Sequence, residues 1–92
     1  MKRYTRTPEQ VVASLMKSSG LTLAVGESCT GGLLSHKITN VSGSSEYFIG
    51  GIIAYHNDIK RILLNVPTQV LKKFGAVSEE TALAMAHGAK LF

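Results

Sequence analysis

Two short apolar runs, with a glycine turn and a helical stretch between them, constrain this chain more than anything else in it. Leu21–Glu27 (LTLAVGE) and Tyr47–Tyr55 (YFIGGIIAY) are close to continuously apolar and partly β-branched, the pattern of strands buried on both faces. Between them, Ser28-Cys29-Thr30-Gly31-Gly32 supplies a tight turn. Leu33, Leu34, Lys37 and Ile38 then recur with helical period until Asn40. Strand, turn, helix and strand in that order make a right-handed βαβ unit with parallel strands. Ser42-Gly43-Ser44-Ser45 reads as the loop into the second strand, whose Gly50 and Gly51 predict a close backbone approach.

The flanks read as helices. Thr7-Pro8-Glu9-Gln10 offers an N-cap, a proline at the first helical position and a glutamine that reaches back to the capped N–H. Val11, Val12, Leu15 and Met16 share one face of that helix, and Gly20 ends it. Asn57 is a good N-cap for a helix over Asp58–Asn65, Pro67 starts a short one that Gly75 stops, and Ser78-Glu79-Glu80 begins a last helix toward Phe92. Val77, Thr81, Ala84, Met85 and Gly88 give that helix a small inward face. The fold class is therefore α/β, with two strands and flanking helices. A parallel sheet needs three or more strands with both faces covered, so its remainder is expected from a longer parent or across a subunit boundary.

The chain has 92 residues, enough for one domain that hides about 60–65% of its unfolded surface. Apolar residues make up 45% and charged residues 17%, which excludes a disordered tail. The formal charge is +4, but Met1–Arg6 holds three of the ten Lys and Arg. That pattern reads as a basic tail over residues 1–6 ahead of one domain over 7–92, and it argues against nucleic acid as a partner. A single cysteine makes no internal disulfide, and no apolar run approaches membrane-spanning length. The expected compartment is the reducing cytoplasm, with no membrane partner.

Chemistry converges at one place. Parallel strands end on the same sheet edge, so Ser28, after the first strand, and Tyr55 to Lys60, after the second, meet where open α/β sheets bind ligands. The backbone N–H groups of Thr30, Gly31 and Gly32 are candidates for a phosphate or an oxyanion. Ser28 needs a base to become a nucleophile, and Lys60 is the candidate, with Arg61 as a cationic neighbour that eases its deprotonation. Tyr55 is placed to relay a proton or orient a substrate; Glu27 and Asn57 are placed to hold either the loop or the substrate.

Plainer readings stand beside these. Ser28 or Thr30 serves as an N-cap with Gly31-Gly32 as turn residues, Lys60 as a solvated helix lysine, and Cys29 as a buried inert thiol rather than an activated one. His36, His56 and His87 lack metal-ligand spacing, so no metal site is expected; His56 alone falls near the crevice.

Four stretches carry a resemblance: Ala24–Gly32 (AVGESCTGG), Gly43–Phe48 (GSSEYF), Tyr55–Lys60 (YHNDIK) and Gly75–Glu80 (GAVSEE). In this order and spacing, over roughly Pro8 to Phe92, the chain resembles the CinA C-terminal domain family, bacterial nicotinamide-nucleotide amidases. The resemblance implies a three-layer α/β/α sandwich and metal-free, cofactor-free hydrolysis of the carboxamide of nicotinamide mononucleotide, giving nicotinate mononucleotide and ammonia. By position it implies Ser28 as nucleophile, Lys60 as its base and Tyr55 as a further catalytic or positioning residue. Glu27, Cys29, Thr30, Gly31, Gly32 and Asn57 fall in the substrate and oxyanion region. Family members continue beyond this length with a Gly-rich segment, another strand and a later arginine that help form the nucleotide pocket. His56, Asp58-Ile59 and Gly26 depart from the common family residues while Tyr55, Asn57 and Lys60 are kept. The expectation is the N-terminal half of such a domain, prone to homo-oligomerise. The rival is a non-catalytic oligomerising or regulatory module of the same domain.

Overall fold

The structure, a computed structural model, describes residues 5–91; Met1 to Tyr4 of the expected basic tail, and Phe92, lie outside them. Helix α1 (Pro8–Ser19) opens with the expected reciprocal cap: Thr7 Oγ1 accepts from Gln10 N–H at 3.2 Å and Gln10 Oε1 accepts from Thr7 N–H at 2.9 Å. Gly20 turns the chain away in the left-handed region. Strand β1 is Leu23–Glu27. It starts later than expected because Leu21 is spent in the turn, its N–H donating to Ser19 Oγ and its side chain 65% exposed.

Helix α2 (Leu33–Thr39) follows the glycine turn, and a single 3-10 turn, Ser44–Glu46, leads into β2 (Phe48–Ile53). Tyr47 is excluded from β2 because its N–H still closes that turn on Ser44 O at 3.1 Å, while its side chain is 2% exposed. After β2 come α3 (Asn57–Leu64), α4 (Thr68–Phe74) and α5 (Glu79–Lys90). The cap of α3 is not Asn57 but His56, whose Nδ1 accepts from Asp58 N–H at 3.1 Å. Imidazole does here what the neighbouring carboxamide was expected to do, because the helix begins one residue earlier.

The two strands pair in parallel with Glu27 opposite Ile53, and the register slips once between Leu23 and Ala24. Alternation along β1 sends side chains to opposite faces. Leu23 and Val25 join Ala13, Ile38, Tyr47, Met16 and Phe48 beneath α1 and α2. On the other face Ala54, Leu64, Val66, Met85 and Ala89 form a second cluster with Ile52 and Ile59 beneath α3 and α5. Helices thus flank both faces of a small parallel sheet, an α/β architecture.

Two expected faces come out differently. Along α1 the buried residue is Ala13, while Val11, Val12 and Leu15 are exposed, Leu15 at 63%. A two-stranded sheet is too narrow to cover the full apolar stripe of a helix lying across it. Val77 is 93% exposed, because Ser78 caps α5 and so leaves Val77 ahead of the first turn; Thr81, Met85, Gly88 and Ala89 are the buried face.

Candidate active site

The register brings the C-terminal ends of both strands to one edge. Glu27 O accepts from Ala54 N–H at 2.6 Å, so Ser28 and Tyr55 leave the sheet side by side, as the sequence order required. Lys60 lies one helical turn further on, in α3, and its Nζ donates to Tyr55 O at 2.9 Å. It is 1% exposed, which rules out a solvated surface lysine. Among the described residues no carboxylate lies within ion-pair distance of it, and its hydrogen bond is to Tyr55 O rather than to Ser28. Arg61 faces away and pairs with Asp58 at 3.9 Å on the surface, so it is not the cationic neighbour expected for Lys60.

The glycine turn is held by Gly31 N–H donating to Ser28 O at 3.1 Å. Gly32 has φ 102°, and a Cβ there would stand 2.9 Å from Ile53 Cδ1. The left-handed conformation is what favours glycine, since the end of the half-exposed Ile53 side chain is free to shift. Among the described residues the N–H groups of Thr30 and Gly32 meet no protein acceptor, and the Ser28 hydroxyl makes no protein hydrogen bond. Cys29 is exposed, which excludes the buried inert thiol. The Tyr55 ring is 76% exposed at the rim. Asn57, also exposed, lines a groove between α3 and α4 with Asp58, Arg61, Thr68 and Lys72.

Glu27 occupies the position that the sequence left open. Its side chain is 2% exposed, and its carboxylate accepts from Leu34 N–H (2.8 Å), Ser35 N–H (3.0 Å) and Ser35 Oγ (2.6 Å). Burial pushes the carboxyl up, but the hydrogen bonds from Ser35, Thr30 and Leu34 outweigh it and bring it down to about 2. Of its two expected uses, the carboxylate is committed to the loop and α2. Ser35 is a site residue that sequence reasoning did not single out; of the two glycines expected to mark a close approach, Gly50 meets nothing within 4 Å, whereas a Cβ on Gly51 would collide with Ser35 Oγ and stand 3.0 Å from Val25 Cγ2. The signal was present, since an acidic residue ending an apolar strand must find donors, and a helix N-terminus follows at once.

A family model, the CinA C-terminal domain, matches residues 5–91. The chain belongs to the CinA C-terminal domain family. A CinA-like protein of Thermotoga maritima is 55% identical over 82 residues, 89% of this chain and 20% of that protein. A CinA-like protein of Desulfotalea psychrophila is 51% identical over 82 residues, again 89% of this chain and 20% of that protein. Among solved structures, the competence/damage inducible protein of Agrobacterium tumefaciens matches with a TM-score of 0.83 at 40% identity, over 99% of this chain and 57% of that one. A CinA superfamily protein of Escherichia coli matches with a TM-score of 0.86 at 30% identity, over 88% of this chain and 47% of that one. The chain therefore spans about one-fifth of the length of the curated relatives it matches and about half of the solved chains. Within this CinA C-terminal domain, the stretch from Glu27 to Gly32 joins β1 to α2 at the sheet edge. No helix among the described residues is long and apolar enough to cross a membrane.

Proposed function

We propose that this domain is built for hydrolysis of a pyridine-nucleotide carboxamide, nicotinamide mononucleotide, to the carboxylate and ammonia, in pyridine-nucleotide recycling. The observation that carries the reading is that Ser28, its hydroxyl without a protein partner, and Tyr55, whose carbonyl holds the buried Lys60, leave the sheet at the same edge. In this reading Lys60 takes the Ser28 proton as Oγ attacks the carboxamide carbon. The free N–H groups of Thr30 and Gly32 receive the developing oxyanion. Collapse breaks the C–N bond, ammonia leaves with the proton from Lys60, and water then cleaves the acyl-serine to nicotinate mononucleotide and free Ser28. Tyr55 and Asn57, with the exposed backbone at Cys29 and Gly31, meet the substrate at the rim.

Ammonia release from nicotinamide mononucleotide tests this, run beside Ser28→Ala. Release by the wild-type chain and its loss in the variant, by about a thousandfold or more, are expected. Folded wild-type protein that releases no ammonia overturns the reading for this chain.

A second reading is a non-catalytic module of the same domain that self-associates through the uncovered edge of β2. Ala54 directs its ladder N–H to β1, so by alternation Gly51 and Ile53 direct theirs outward. No charged residue from Tyr47 to Tyr55 guards that edge. Light scattering across a concentration series is expected to report dimers or larger assemblies, and a monomer throughout would exclude self-association. Self-association and hydrolysis are compatible; assembly without ammonia release selects this second reading.

A further inference from the structure

We infer that Glu27 is the positioning residue of the Ser28 turn, capping α2 from the end of β1 so that the serine hydroxyl and the turn's N–H groups stay free for a substrate. The inference rests on the reading of Ser28 as the nucleophile and deepens it.

A strand-turn-helix connection leaves helix N–H groups without intrahelical partners, and a serine or threonine of the turn ordinarily satisfies them. Here the turn holds Ser28 and Thr30, yet neither caps α2. Its N-cap position is Gly32, which has no side chain to offer. The capping bonds come from Glu27, seven and eight residues upstream of Leu34 and Ser35. Had Ser28 capped α2, its hydroxyl oxygen would be committed to a first-turn N–H of the helix.

The geometry is supported from a second element. Ser35 Oγ reaches the carboxylate at 2.6 Å because Gly51 of β2 leaves it room, a side chain there being sterically excluded. The carboxylate is thus tied to the start of α2, so the turn from Ser28 to Gly32 is held between the residue before it and the helix after it. No cation pairs with Glu27 among the described residues, so the arrangement depends on hydrogen-bond direction rather than on a mobile counter-charge.

The test uses a fluorophosphonate, which labels an activated serine without needing a nucleotide pocket. Ser28 Oγ bonds to phosphorus, the P–F bond breaks, and fluoride leaves as the hydroxyl proton passes to base. Labelling of the full chain is followed by mass spectrometry, with Ser28→Ala as the unlabelled control and circular dichroism establishing that each variant is folded. Glu27→Gln keeps the shape but replaces one acceptor oxygen by a donor. It is expected to lower the maximal labelling rate about tenfold or more, with half-saturation unchanged, an effect that loss of stability alone does not produce in folded protein. Ser35→Ala, which removes one donor and leaves Glu27 in place, is expected to give a smaller fall in the same parameter, and it carries the test if Glu27→Gln does not fold. Equal labelling of wild type and both folded variants overturns the role of Glu27 while leaving Ser28 as nucleophile. Absence of labelling in the wild type overturns the reading of Ser28, and this inference with it.

Discussion

Replacing Gly88 with alanine is expected to destabilise the domain by about 3 kcal/mol, even after allowing the roughly 1 kcal/mol by which alanine is the better helix former. Gly88 is buried in α5 against the end of α3, and a Cβ there would collide with the Leu64 carbonyl oxygen and stand 2.6 Å from its carbon and 2.9 Å from its Cα. The obstacle is backbone, so no rotamer change relieves it. Leu64 is itself 0% exposed and packs with Val66, Met85 and Ala89. Separating α3 from α5 therefore loosens the cluster on that face. Urea denaturation reads the effect as a large fall in the midpoint. Gly50→Ala is the control, since a Cβ there meets nothing within 4 Å. A Gly88→Ala midpoint within error of wild type would mean that the two helices do not approach as described.

Acid is expected to weaken the fold between about pH 4.5 and pH 2. The ordinary value of a glutamate is 4.5, and in the folded chain Glu27 titrates at about 2. Above pH 4.5 the group is ionised in both the folded and unfolded chain, and the stability contributed by its hydrogen bonds is fully present. As pH falls below 4.5 the unfolded chain takes up the proton first, so stability drops until the folded form is protonated as well, near pH 2. The displacement corresponds to about 3 kcal/mol, a large share of the margin of a chain this small. Glu9, held down by its backbone hydrogen bond and by the Thr7 hydroxyl, adds to the same limb in the same direction. Glu27→Gln isolates the larger contribution: the variant starts lower at pH 7 and shows a flatter acid limb. Denaturation midpoints measured from pH 7 to pH 2.5 decide it, and an unchanged acid limb in Glu27→Gln would show that this carboxylate is not responsible.

Much of the architecture was legible because its signals are local. The Thr7–Gln10 cap, the Gly75 stop and the Ser78 cap each depend on neighbours within a few residues, and all three are found. The β1-turn-α2 stretch was legible for a different reason: an apolar β-branched run cannot stay exposed, and Gly31 and Gly32 adopt φ values of 61° and 102° that other residues avoid. Errors fell where a choice depended on partners distant in sequence. Asn57 and His56 are both able to cap, and the entry of the chain from β2 decided between them. Val11, Val12 and Leu15 form a periodic apolar face, but only the width of the sheet says how much of it is covered.

At the site, residue types alone placed Ser28, Tyr55 and Lys60 at one edge, because parallel strands must end together. They did not decide what each group does there. Whether Lys60 is solvated or buried, whether Cys29 is inert or open, and whether Ser28 caps a helix are questions of packing. The answers came from α3 folding back so that Lys60 meets the Tyr55 carbonyl, and from Glu27 taking the cap. What the linear order determined by itself was element type and sequence along the sheet, since hydrophobic period, caps and glycine conformations act over a few residues. What only the tertiary structure decided was the commitment of each polar group. A buried donor or acceptor is satisfied by whichever partner the fold brings within about 3 Å, and for Glu27 those partners were Leu34 and Ser35 on the next helix, with Gly51 on the neighbouring strand making the room.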